Sequence, residues 1–295
     1  MIKLKTREGN RMFDICLYIV FILLAVLMIY PLYYVVIMSL ANTVALAKHA
    51  PYILPYSVDP TGYETIFKDA TFFQALGTTL FVTVIGVAIN MTLSICGAYA
   101  LSKKYLPGRN LFLGIILFTM LFSGGLVPSY LNIKSLGLIN NVWSMILPTA
   151  IGTYYMIIMK NYFSSLPESL EEAAELDGAN AFVILIKIVV PISKPFIATF
   201  SLFYAVERWN EWYNAMLYIS KKAYQPLQIY LREILVNLNS QLSAQAQMMM
   251  GETQKIQAST VQMACIVVTM LPILCIYPFV QKHFVKGIMI GGVKG

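Results

Sequence analysis

The sequence predicts an all-α membrane protein with six transmembrane helices and both termini in the cytoplasm. Three observations carry that expectation. Mean hydropathy is +0.69, with 58% hydrophobic and only 12% charged residues, whereas soluble domains carry roughly 25% charge. Residues 15–38, 70–102, 110–133 and 135–159 contain no charge at all, and each run exceeds the ~20 apolar residues that cross a hydrocarbon core as a helix. Lysine and arginine, finally, collect on alternate connections.

Taken in order, residues 1–12 form a basic cytoplasmic segment with Lys3, Lys5, Arg7 and Arg11. The apolar run that follows is too long for the roughly 7–15 residue core of a signal peptide, and no small-residue cleavage site ends it, so it reads as a retained first span. Residues 41–69 form an external loop with prolines at 51, 55 and 60. Residues 70–102 are the second span. Lys103, Lys104 and Arg109 then flank a tight turn whose Pro107-Gly108 pair breaks a helix. The third and fourth spans, 110–133 and 135–159, enclose a short outer loop around 132–141 with Lys134 alone. A polar loop, 164–190, precedes a fifth span at about 191–212, interrupted near its start by Lys194. A long external segment, 207–259, leads to a sixth span at about 260–280 and a tail, 282–295. The membrane-spanning body is thus 13–281. With the N-terminus inside, Lys160, Lys187, Lys282, Lys286 and Lys294 also fall inside, as the positive-inside bias requires. That bias accounts for the net charge of +7 without a nucleic-acid partner.

Several chemistries are excluded. No G-x-x-x-x-G-K-[ST] phosphate loop occurs, and the two histidines, His49 and His283, lie far apart. Cys16, Cys96, Cys265 and Cys275 sit in apolar runs without metal-ligand spacing and read as buried free thiols. The spans lack the Asp/Glu/His series of a proton relay. The chain is expected to be no enzyme and to bind no metal or cofactor itself.

Five of the 14 acidic residues crowd into "SLPESLEEAAELDGAN": Glu168, Glu171, Glu172, Glu175 and Asp177. Ser165 and Glu168 have capping-box spacing, and Pro167 suits a first turn. Acids near a helix N-terminus complement its dipole, and Gly178 suits a left-handed helix end. Leu170, Ala173, Ala174 and Asp177 share a side by three- and four-residue spacing. The paired alanines admit a close neighbour, so the element reads as a docking helix outside the bilayer.

Glu172, Ala173, Ala174, Gly178, Ile188 and Pro191 resemble the Glu-Ala-Ala signature of ATP-binding-cassette (ABC) importer permeases, with Val190 where leucine is usual. Asp177-Gly178-Ala179, "VPSYLNIKSLGLINN", "RWNEWYNAMLYI" and the terminal "GGVKG" are similar to the carbohydrate-uptake branch, in particular to the second permease subunit of maltose-type importers. The resemblance implies a type I importer permease fold in the bacterial cytoplasmic membrane. It implies a coupling helix at Glu172, Ala173, Ala174, Asp177 and Gly178, and a tail, Gly291, Gly292 and Lys294, reaching the ATPase pair. The implied partners are a homologous second permease, two ATPase subunits that use ATP and Mg, and an external sugar-binding protein. The implied substrate is an oligosaccharide, and the insertion at 231–260 resembles the branch for polysaccharide-derived sugars.

Candidates along the substrate path are Glu207, Arg208, Trp209, Asn210, Glu211, Trp212 and Tyr213. The aromatics suit stacking on sugar rings, or an interfacial belt. Glu207-Arg208 suits a snorkelling ion pair or a wet cavity. Asn90, Tyr99, Ser123, Tyr130, Tyr154 and Tyr155 are further polar positions that helix packing explains equally well. The alternatives are a permease for amino acids or other small solutes, and an ion-coupled secondary transporter. The sugar-branch motifs disfavour the first; missing repeats and intramembrane acids disfavour the second.

Overall fold

The computed structural model describes residues 11–42, 58–240 and 259–276. In chain order the helices are α1 (Arg11–Ser39), α2 (Thr61–Lys68), α3 (Ala70–Ser102), α4 (Arg109–Leu121) and α5 (Leu126–Ser135). Two 3₁₀ turns, Val142–Met145 and Leu147–Thr149, precede α6 (Thr153–Phe163) and α7 (Glu168–Leu176). Next come α8 (Ala181–Ile192), α9 (Lys194–Trp209), α10 (Tyr213–Tyr218), α11 (Leu227–Ser240) and α12 (Ser259–Ile276). Among the described residues the one extended pairing is an isolated bridge between Ala41 and Val58.

The chain forms two compact units, one drawn from Met1–Asp69 and Glu233–Met270, the other from Ala70–Arg232 and Leu271–Gly295. In the first unit α1 is exposed from residue 13 to 33, and only its end is buried. There Met38 and Ala41 pack with Tyr34 and Met263, and the Ser39 and Tyr63 hydroxyls lie 2.7 Å apart. Asp59 starts α2 by accepting the Thr61 N–H at 3.0 Å. The Thr61 hydroxyl and N–H hold its carboxyl below the usual range.

The second unit is organised by α3. Phe72, Ala75, Thr79, Val82, Gly86, Asn90, Ser94, Ala98 and Ser102 are all buried, at successive steps of three or four residues. Such a stripe of small and polar side chains lets apolar helices approach closely, where packing and hydrogen bonds replace the hydrophobic effect. Helices α6 and α9 use it. The Tyr204 hydroxyl sits 2.7 Å from Ser94 Oγ and accepts the Gly152 N–H at 3.1 Å. Tyr155 meets the Tyr204 ring edge-on, with centroids 5.0 Å apart.

Among the described residues, three helices are individually long and apolar enough to cross a membrane: Phe13–Ser39, Ala70–Ser102 and Ser259–Ile276. The second has the bounds expected from its charge-free run. The third, fourth and fifth expected spans are broken instead. Helices α4 and α5 meet at 115°, the 3₁₀ turns and α6 at 45°, and α8 and the following run at 88°. The causes are local. Gly125 takes φ 87° between α4 and α5, a conformation that other residues rarely adopt. Pro148 and Gly152 interrupt the fourth run, and Pro191 and Pro195 follow a π turn at Leu185–Val189. A π turn relocates the hydrogen bonds that a proline would obstruct. The thiols also depart from expectation. Cys265 is buried, but Cys16, Cys96 and Cys275 are exposed on apolar outer helix faces.

Candidate functional site

The polar stretch forms a nine-residue helix, α7, but its entrance differs from the expected capping box. Pro167 occupies the N-cap without a side-chain bond, because Ser165 Oγ instead donates to Tyr162 O at 2.7 Å, closing the turn that ends α6. The exit is as the glycine suggests. Ala179 N donates to Ala174 O (2.9 Å) and Gly178 N to Glu175 O (3.0 Å), with Gly178 at φ 81°. This is the doubly bonded glycine stop. One residue later Asn180 Oδ1 accepts the Val183 N–H at 3.0 Å and starts α8. Asp177-Gly178-Ala179-Asn180 is therefore a helix stop fused to a helix start.

The helix has two unlike faces. Toward its own chain lie Glu168, Glu171 and Ala174. Ala174 is buried in a core with Met159, Phe163 and Ile184. Glu171 pairs with Lys103 and accepts the Tyr99 hydroxyl at 3.2 Å. Glu168 pairs with Lys104 at 2.9 Å, and this bond and charge hold its carboxyl below the ordinary range. Burial, with the Glu175 charge second, pushes the Tyr105 phenol up. Exposed are Ala173, Leu176 (89%) and Glu172, the last at the edge of the cleft that Lys103, Lys104 and Glu168 also line. The two alanines are thus divided: adjacent helical residues point about 100° apart, so Ala174 serves the core and Ala173 the surface. Leu176, an apolar side chain held out to water, was not singled out by spacing.

The second polar constellation lies between α3, the 3₁₀ turns and α9. Arg208 is 3% exposed. Its Nε donates to Asn90 Oδ1 at 3.0 Å, and Nη1 donates to Met145 O and Thr149 Oγ1, both at 2.7 Å. Nη2 donates to Thr149 O at 2.5 Å. Asn90 Nδ2 donates to the Thr149 and Ala150 carbonyls at 2.8 and 2.9 Å. These carbonyls are the ones that irregular turns leave without helical partners, and apolar surroundings offer them no water. Arg208 neither snorkels nor pairs with Glu207; its nearest carboxylate is Glu211, at 3.9 Å. It is a clamp on non-helical backbone.

The neighbouring candidates divide likewise. Trp209 is buried, lining a small apolar cavity with Leu202, Val206 and Ile273. Asn210 Nδ2 donates to Val206 O, ending α9, and Glu211 accepts from Asn214 N at 2.9 Å, starting α10. Trp212 and Tyr213 are about half exposed and meet edge to face. Glu207 is exposed and accepts the Tyr155 hydroxyl at 2.7 Å. Gly291, Gly292 and Lys294 lie outside the described residues, as does most of the 231–260 insertion.

No family model matches the chain. It is 42% identical over 286 residues to the polygalacturonan/rhamnogalacturonan transport system permease protein YtcP of Bacillus subtilis, covering 97% of this chain and 99% of that one. The chain belongs to the carbohydrate ABC importer permeases. The protein LplC of the same organism is 40% identical over 98% of this permease and 97% of its own length. A crystal structure of a bacterial ABC transporter involved in import of the acidic polysaccharide alginate superposes with a TM-score of 0.86 at 35% identity, covering 94% of this chain and 98% of that one. The permease is accordingly a transport subunit and not itself an enzyme.

Proposed function

We propose that this permease is one half of a membrane channel through which an ATP-driven importer passes oligosaccharides released from a polysaccharide. In this reading each bent helix pair makes one crossing, giving six, with both termini in the cytoplasm of a bacterial cell. Helix α7 docks in a groove of an ATPase subunit that itself holds ATP and Mg²⁺, and the tail with Gly291, Gly292 and Lys294 reaches between two such subunits. A related second permease completes the path, and an external sugar-binding protein delivers the substrate. The exposed path candidates are Glu207, Asn210, Trp212 and Tyr213; Arg208 and Trp209 support them from within.

One observation carries the docking role. In a chain this apolar, α7 pairs Glu168 and Glu171 with its own lysines yet leaves Glu172, Ala173 and Leu176 exposed. A carboxylate beside a small residue and an exposed leucine suits a mixed polar and apolar groove carrying a basic side chain. The test is Glu172→Lys. The variant is expected in the membrane at wild-type level, with copurification of the ATPase reduced at least tenfold. Full copurification with normal sugar uptake would refute the docking role.

A further inference from the structure

We infer that Glu171, Lys103 and Tyr99 form an internal tether that makes α7 and the cytoplasmic end of α3 move as one body. The tether itself stands on the geometry below; its role in transmission rests on the proposed docking of α7.

Helix α7 has nine residues and a core contact of its own essentially at Ala174. A helix so short has little independent stability and would swivel about that alanine if nothing else held it. The second point of attachment is Glu171, one turn earlier on the same face. Its side chain is 16% exposed and that of Lys103 15%. The Lys104–Glu168 pair beside it, by contrast, is at the open surface on both sides. Exposed pairs contribute little and exchange readily with water. A sheltered pair is costly to break, because each partner is left as a poorly solvated charge.

Tyr99 makes the arrangement directional. Its hydroxyl donates to the same Glu171 carboxylate at 3.2 Å, and the Lys103 ammonium lies 4.2 Å from its ring centroid. Its ring meets Phe163 at the end of α6 edge-on. Tyr99 and Lys103 are one turn apart at the end of α3, the helix whose middle carries Asn90 and, through it, Arg208. A displacement of α7 is therefore delivered to α3 directly at Glu171, through charge, and indirectly from Ala174 through the core it shares with Phe163, whose ring meets Tyr99. Two points define an orientation where one defines only a position. Glu171 and Lys103 are thus positioning residues that act through α7.

The decisive measurement is the distance between spin labels at Ser169→Cys, on α7, and Thr92→Cys, on an exposed turn of α3, with the native cysteines replaced. It is read in the assembled transporter in nanodiscs, without nucleotide and with ATP trapped by vanadate. The expected result is one narrow distribution that is the same in both states. Lys103→Met and Glu171→Gln should each broaden it at least twofold, and the charge-swapped double Lys103→Glu/Glu171→Lys should restore most of the narrowness. Tyr99→Phe, which keeps the ring, should give an intermediate width, and it decides the matter if the charge variants do not insert. A wild-type distance that differs between the states would overturn the inference, as would unchanged width in the single variants and in Tyr99→Phe. Copurification of the ATPase is measured in parallel. Its persistence in Glu171→Gln separates tether from docking, and its loss there would assign Glu171 to docking instead. A failure of Glu172→Lys to release the ATPase would sink the docking role but leave the tether standing.

Discussion

Arg208 and Glu172 are both charges in a chain that has few, and their surroundings are opposites. Arg208 is sealed among α3, α9 and the 3₁₀ turns, with its donors spent on Asn90, Met145 and Thr149. Glu172 stands on α7 with no side-chain hydrogen bond or ion pair to any of the described residues and an exposed Leu176 one turn away. The first charge holds the chain's own irregular backbone in place. The second is held in readiness for something outside the chain. An apolar protein can therefore keep charge for internal satisfaction or for recognition, and burial together with bond count tells the two apart.

The comparison breaks most visibly at Arg208. Arg208→Met should cost about 3–5 kcal/mol, the range for removing one member of a buried charged network, because Asn90 and the Met145 and Thr149 carbonyls lose a donor. Membrane yield and the thermal midpoint of the purified protein should both fall, while ATPase copurification per folded molecule is unchanged. Stability within 1 kcal/mol of wild type would show that the carbonyls find other donors. Glu172→Lys should do the reverse: stability intact, docking lost.

A smaller effect is expected at the half-exposed aromatics. Trp212→Ala should weaken sugar-dependent uptake about five- to tenfold, equivalent to roughly 1–1.4 kcal/mol, with normal protein level and basal ATP hydrolysis. A lower protein level with unchanged uptake per molecule would make Trp212 an interfacial anchor. Trp209→Phe, by contrast, should alter stability rather than uptake. The smallest effect belongs to Lys104 and Glu168, exposed on both sides. Since Lys104 lowers the Glu168 pKa, the pair's stabilisation is present above the ordinary carboxyl value of 4.5 and fades as pH falls through the lowered one. Lys104→Met should thus sit slightly below wild type in thermal midpoint at pH 7, and the gap should close as pH falls below the lowered Glu168 value. A gap that widened in acid would contradict the assignment.

What was legible in the sequence follows from what each signal measures. The charge-free run of α3 fixes its bounds because nothing in it stops a helix and its buried stripe keeps helical spacing. The same kind of run at 110–133 reports only an apolar environment, so the 115° bend at Gly125 was not foreseen. Gly178 was readable because a left-handed stop is a local event. Ser165 misled because one hydroxyl can serve either the helix behind it or the one ahead, and here it serves the helix behind. The environment of Arg208 was out of reach altogether. Its carbonyl partners lie 59–63 residues away in turns whose geometry no pattern of residue types announces.

Gly86 gives the Arg208 clamp a consequence for descent. A Cβ built at position 86 would lie 2.9 Å from Arg208 Cδ, and the arginine, bonded along its whole head group, has no room to yield. The two positions therefore form a single inherited unit. A lineage that acquires alanine or anything larger at 86 is expected to have already surrendered the arginine at 208, along with the bent path of the chain at 142–152. Ancestral intermediates carrying both should be absent, and aligned relatives should show the glycine and the arginine lost together.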